Sequence, residues 1–248
     1  QTPVPYGNSW ALLIGINRYR HLPEHMQLRY AVNDVVAMRE VLVDHHGFPE
    51  ANVVTLIDDE ATQEGIEDAM ADLADPDRIK ANDRVLVYFS GHGATVPLPG
   101  RGPKGFLITH DAEFKGDGST RNPSDYYRTC IGMDRLRELS SFIPAKHTLF
   151  LVDACYSGAA TRAIEPLPMG IPGHMWKVST LSVAQVITAG LSGEQVVEFG
   201  GHGAFTFKLL AALKDGYADT NMPDGVTTAT ELGTYLSGVM PPFVDEVA

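Results

Sequence analysis

The chain has 248 residues, 44% of them hydrophobic and 20% charged, which suffices for one large domain with a sizeable core or for two small ones. Its 19 Lys and Arg against 31 Asp and Glu leave a net charge of −12 with no long basic block, which argues against nucleic-acid partners and anionic membrane surfaces. The two cysteines, Cys130 and Cys155, are too few for a disulfide framework, and the longest early apolar run, residues 10–16, is too short to cross a bilayer, so no membrane association and a reduced, cytoplasmic compartment are expected.

Residues 9–16 form a near-continuous apolar run, the pattern of a buried parallel strand. Val32, Val35, Val36, Met38, Val41 and Leu42 then recur at helical spacing, and the helix stops near Gly47. A second strand is expected over 52–57 and a second helix over 62–73, with Thr62 as its cap and Pro76 ending the pattern. A third strand, 84–89, leads into Gly91-His92-Gly93. Residues 94–128, rich in Pro and Gly, read as irregular apart from a short strand at 105–108. A helix follows over 133–142, and a strand over 147–152 leads into Asp153-Ala154-Cys155. The Pro- and Gly-rich stretch 161–177 reads as an exposed linker. A strand at 182–188 and helices at 204–213 and 228–239 complete the chain. Strands alternating with helices predict an α/β fold: an open, mostly parallel sheet with helices on both faces.

In such sheets, sites form past the carboxyl ends of the strands. His92 and Cys155 both stand there. A cysteine thiolate is a strong nucleophile, and an imidazole beside it can take its proton and return it to a departing amine. The turns around both residues can aim backbone amides at an oxyanion, and those of Gly93 and Cys155 are the candidates. Taken singly, such a Cys reads as core and such a His as a turn residue. The chain order runs against a hydrolase with a G-x-S-x-G elbow and its histidine last, although His202 keeps that order open, and Ser157 is an alternative nucleophile.

Tyr88-Phe89-Ser90-Gly91-His92-Gly93 followed by Asp153-Ala154-Cys155-Tyr156-Ser157-Gly158 resembles the caspase-like cysteine peptidases, specifically metacaspases and the prokaryotic orthocaspases. Residues 11–17 with 31–34 resemble that family's opening strand and first helix, and Gly201-His202-Gly203-Ala204-Phe205-Thr206 resembles the start of its small-subunit helix. The resemblance implies one caspase-like domain over 1–248: a large-subunit-like portion 1–160, a linker 161–179 and a small-subunit-like portion 180–248. It implies the dyad Cys155 and His92. Where caspases carry Q-A-C around the nucleophile, this chain has Asp153. Two residues before Cys155 in a strand, Asp153 points to the same side, and a carboxylate there suits Arg or Lys of a substrate. By resemblance Asp34 supplies a second pocket carboxylate and Ser90 lines the pocket; on the residues alone Asp34 reads equally well as a helix-end charge. Tyr156 stands where metacaspases usually have histidine.

The expected activity is therefore an endopeptidase cleaving after Arg or Lys, acting on protein or peptide substrates and requiring no cofactor. The alternatives are a non-catalytic scaffold of the same fold, or a cysteine esterase or thioesterase dependent on His202. Arg162 and Lys177 in the linker are the expected self-cleavage positions if the linker is more than a connector. Asp111, Glu113 and Asp117 are the loop carboxylates on which the calcium activation known in some metacaspases would rest, although they match no EF-hand and read as solvated charges. The histidines show no zinc spacing, so no metal site is expected.

Overall fold

The computed structural model describes residues 6–98, 100–115, 122–154, 183–188, 198–219 and 227–247. Its centre is a five-stranded, wholly parallel sheet in the order β2-β1-β3-β7-β8. The strands are β1 (Ser9–Gly15), β2 (Val53–Ile57), β3 (Arg84–Ser90), β7 (His147–Asp153) and β8 (Val183–Thr188). Parallel strands need crossovers, and helices provide them: α1 (Ala31–His46) lies between β1 and β2, and α2 (Gln63–Leu73) between β2 and β3. Thr62 caps α2 as expected, its Oγ1 accepting the Gly65 N–H at 3.0 Å.

Strand periodicity divides the apolar residues between two cores. On one face Leu12, Ile14, Val85, Val87, Phe89, Phe150 and Val152 pack with Ile66, Met70 and Leu73 of α2 and with Leu136 of α4 (Met133–Ser140). On the other, Ala11, Leu13, Leu86, Tyr88 and Leu151 pack with Val35, Met38 and Leu42 of α1. That second core also takes Phe205 and Leu209 of α5 (Ala204–Asp215) and Leu232 and Leu236 of α6 (Ala229–Val247). Helices thus cover both faces.

The region expected to be irregular holds more structure than its composition suggests. β4 (Gly93–Leu98) and β5 (Gly102–Ile108) form an antiparallel hairpin, and β6 (Cys130–Gly132), reached through α3 (Pro123–Thr129), adds a third strand. Pro97 pairs with Pro103 near the hairpin tip, where β4 is an edge strand and the missing amides do least harm. α6 likewise runs past the expected end and through Pro241 and Pro242. The apolar positions Leu232, Leu236 and Phe243 remain buried along that helix, which carries it through the prolines.

The linker 161–179 lies outside the described residues.

Candidate active site

Gly15, Ser90 and Asp153 stand in register at the carboxyl ends of β1, β3 and β7. The chain therefore leaves β3 toward His92 and β7 toward Cys155 from neighbouring strands. The Gly91 N–H donates to the Asp153 carbonyl at 3.1 Å and ties the two exits together. Cys155 follows Ala154 directly in sequence and lies outside the described residues.

His92 is half-buried. Its Nε2 donates to the Met26 carbonyl at 2.6 Å, since a carbonyl can only accept. Its ring lies against that of Tyr19, with centroids 5.0 Å apart, and the Tyr19 hydroxyl accepts the His92 backbone N–H at 2.6 Å. Burial holds the imidazole below its ordinary value of 6.5, against the Met26 bond and the Glu198 charge. With the proton on Nε2, a neutral ring presents Nδ1 as a base. The loop carrying Tyr19 and Met26 is pinned by Gln27, whose Oε1 accepts from Tyr19 N at 2.7 Å while Nε2 donates to the carbonyls of Tyr19 and Leu22 at 3.1 and 2.8 Å. Tyr19 and the Met26 carbonyl were not found by sequence reasoning, and a backbone carbonyl leaves no mark on residue identity.

The Gly93 amide is directed by strand pairing. Ile108 N–H donates to the His92 carbonyl at 2.9 Å, so the Gly93–Leu107 pair is of the non-hydrogen-bonded kind. The Gly93 N–H then points away from β5, off the outer edge of β4.

Beside these exits, on the α1 and α5 face, two buried carboxylates come together. Asp34 on α1 is 1% exposed. α1 approaches the sheet closely because Gly15 has no side chain: a Cβ there would stand 2.6 Å from Val35 Cγ2 and 2.7 Å from the Ala31 carbonyl. Ser90 Oγ donates to Asp34 Oδ2 at 2.9 Å, and His202 Nδ1 to Oδ1 at 2.8 Å. The Gly203 N–H reaches both oxygens at 3.3 and 3.2 Å. Asp153 is also buried, and its Oδ2 accepts from Thr206 N at 3.1 Å and Thr206 Oγ1 at 2.5 Å; Tyr88 OH bonds the same Oγ1. Gly203 separates the two acids, and a Cβ on it would collide with Asp153 Oδ2. Burial raises both carboxyls. For Asp153 burial comes first and the Asp34 charge second, and together they lift it to about 7. A desolvated pair of this kind has a natural complement in one cation.

Asp34, Asp153 and Ser90 therefore cluster, and His202 joins them rather than standing near His92's partners Tyr19 and Met26. His202, Gly203 and Thr206 as holders of the acids were missed, although their segment was singled out as a motif. Arg162 and Lys177 lie outside the described residues. Among the described residues no group of three or more His, Cys, Asp or Glu gathers as for a metal ion. Asp111 is occupied structurally, its Oδ1 accepting from Gln63 N at 3.0 Å and Thr109 Oγ1 at 2.8 Å, and Asp117 is outside those residues. Cys130 is buried, its thiol pushed up to about 12 by desolvation, which makes it inert.

A family model described as the caspase domain matches residues 8–231. The chain is 34% identical over 154 residues to metacaspase-6 of Arabidopsis thaliana, covering 60% of this chain and 38% of that protein. It is 34% identical over 161 residues to metacaspase III c of Phaeodactylum tricornutum, covering 63% and 44%. A probable protease of a Desulfuromonadales bacterium is 26% identical over 229 residues, covering 83% of this chain and 26% of the relative. The chain spans less than half the length of each of these relatives. A crystal structure of a protein from Geobacter sulfurreducens superposes with a TM-score of 0.59 at 20% identity, over 95% of this chain and 90% of that one, a likeness of fold. With the family match reaching from the first strand into the last helix, the chain belongs to the caspase-domain family.

Proposed function

We propose that this protein is a cysteine endopeptidase cleaving after Arg or Lys, with Cys155 as nucleophile and His92 as its base. The observation that carries the reading is the pairing of Ser90 with Asp153 on adjacent parallel strands, which starts the His92 and Cys155 segments side by side next to two buried carboxylates. The substrate's Arg or Lys side chain approaches Asp34 and Asp153 and brings a cation to the pair. His92 Nδ1 takes the thiol proton. The thiolate adds to the scissile carbonyl, and the oxyanion is met by the amides of Gly93 and Cys155. Collapse expels the amine, which takes its proton from His92 and leaves a thioester. Water, deprotonated by His92, hydrolyses that thioester and regenerates the thiol. Chain cleavage at Arg162 or Lys177 would follow from the same specificity.

The test uses fluorogenic peptides with Arg, Lys, Asp or norleucine before the cleaved bond, with and without calcium. We expect cleavage of the Arg and Lys peptides alone. His92→Ala should reduce the rate by roughly a hundred- to ten-thousand-fold, and Cys155→Ala should abolish it. Preference for Asp would overturn the pocket. No cleavage of any peptide would favour the scaffold reading. The esterase reading draws its support from the His202–Asp34 bond, which resembles a base held by its orienting acid. It requires loss of turnover in His202→Ala with His92→Ala active.

A further inference from the structure

His202 is delivered by a two-residue hairpin. β9 (Glu198–Phe199) and β10 (His202–Gly203) pair antiparallel, with Phe199 opposite His202. The loop is Gly200-Gly201, at φ +62° and +89°, the left-handed pair that a tight turn of this kind demands. The turn presents the imidazole to Asp34. Of the donors on that carboxylate, Ser90 and Gly203 are buried, whereas the His202 side chain stays 24% exposed. His202 therefore reaches both solvent and the buried acid. Its bond is the short one to Oδ1; Ser90 bonds only Oδ2, and the Gly203 amide is shared between the two oxygens at longer range.

We infer that His202 is the specificity-determining positioning residue of the acidic pocket: it locks the rotation of the Asp34 carboxylate so that Asp34 and Asp153 together accept one guanidinium or ammonium group, and it takes no part in proton transfer at the scissile bond. This rests on the basic-residue reading of the pocket. Without the Nδ1 donor, the carboxylate keeps Ser90 on Oδ2 but holds Oδ1 only by the long, shared bond from the Gly203 amide, which restrains its rotation less.

Binding is measured in a Cys155→Ala background with acetyl-Leu-Arg-amide and acetyl-Leu-norleucine-amide, by calorimetry or NMR titration. His202→Ala should weaken the Arg peptide about tenfold or more, the value of a hydrogen bond to a charged group, and leave the norleucine peptide unchanged. His202→Asn, whose amide can donate in place of Nδ1–H, should recover most of the loss. In the Cys155 protein the same variants should raise KM for the Arg substrate and change kcat less than about threefold. Should His202→Ala not fold, His202→Leu, of similar bulk without a donor, repeats the comparison. Undiminished Arg affinity in the Ala or Leu variant overturns the inference. So does equal weakening of both peptides, or a collapse of kcat at constant KM. If the His202 protein binds the Arg peptide no better than the norleucine peptide, the pocket assignment falls and the inference with it. If it binds selectively and the Cys155 protein cleaves neither, only the peptidase reading falls.

Discussion

At Asp153, burial works ahead of the Asp34 charge to raise the carboxyl from 3.8 to about 7, while two bonds from Thr206 pull the other way. The sign of the consequence for binding follows from which form a cation prefers. A substrate guanidinium favours the ionised acid, so below pH 7 its entry must expel a proton. On the proposed specificity, KM for an Arg peptide should therefore fall as pH rises from 5.5 and level off above about 7, with no such trend in the binding of a norleucine peptide to the Cys155→Ala protein. Stability has the opposite slope. The folded chain holds the Asp153 proton more tightly than the unfolded one, so the stabilisation it brings is complete below about 4 and is lost as pH rises through about 7. Denaturant titrations of Asp153→Asn against the natural protein over that window should show a flatter profile in the variant. Equal slopes would mean that Asp153 ionises as an ordinary surface acid does.

Between elements, α1 packs tightly on the end of β1. Gly15→Ala sets a methyl group against Val35 and the Ala31 carbonyl, and a backbone oxygen cannot move aside as a side-chain end can. The helix must shift outward, and Asp34, one turn along, shifts with it. We expect a destabilisation of about 1–3 kcal/mol by urea unfolding, with a raised KM for Arg peptides; unchanged values for both would show that α1 is free to adjust. The parallel strands were legible because burial on both faces writes them as apolar runs, such as residues 10–16 and 85–89. The β4–β5 hairpin was not, because Pro97 and Pro103 read as breakers until their place at an edge is known. His92, Asp34 and Asp153 were legible through motif resemblance. Tyr19 and Met26 were hidden for a different reason: one acts through a hydroxyl within the core, the other through its main chain, and neither function constrains neighbours in sequence. His202 needed the third dimension, since only the folded chain brings residues 34 and 202 together.

Across the whole molecule, the two cores meet the site unequally. The first core reaches it through Tyr19, which lies against His92, whereas the second, built by α1, α5 and α6 on the sheet, ends beside the acidic pair. Among the described residues, both hydrogen bonds to the Asp153 carboxylate, and two of the three donors to that of Asp34, belong to residues 202–206, which lead directly into the buried Phe205 and Leu209 of α5. The first two-thirds of the chain supplies the two acids and Ser90, and the last third supplies the other described donors to them. On the proposed specificity, a cation that fills the pocket is expected to stabilise the seating of the final helices as well. A small guanidinium compound at ten times its dissociation constant should add about 1.4 kcal/mol, seen as a rise of a few degrees in melting temperature, and should do so in the Cys155→Ala protein as well. Arginine mimics would then serve this chain as folding aids, by a route independent of its thiol.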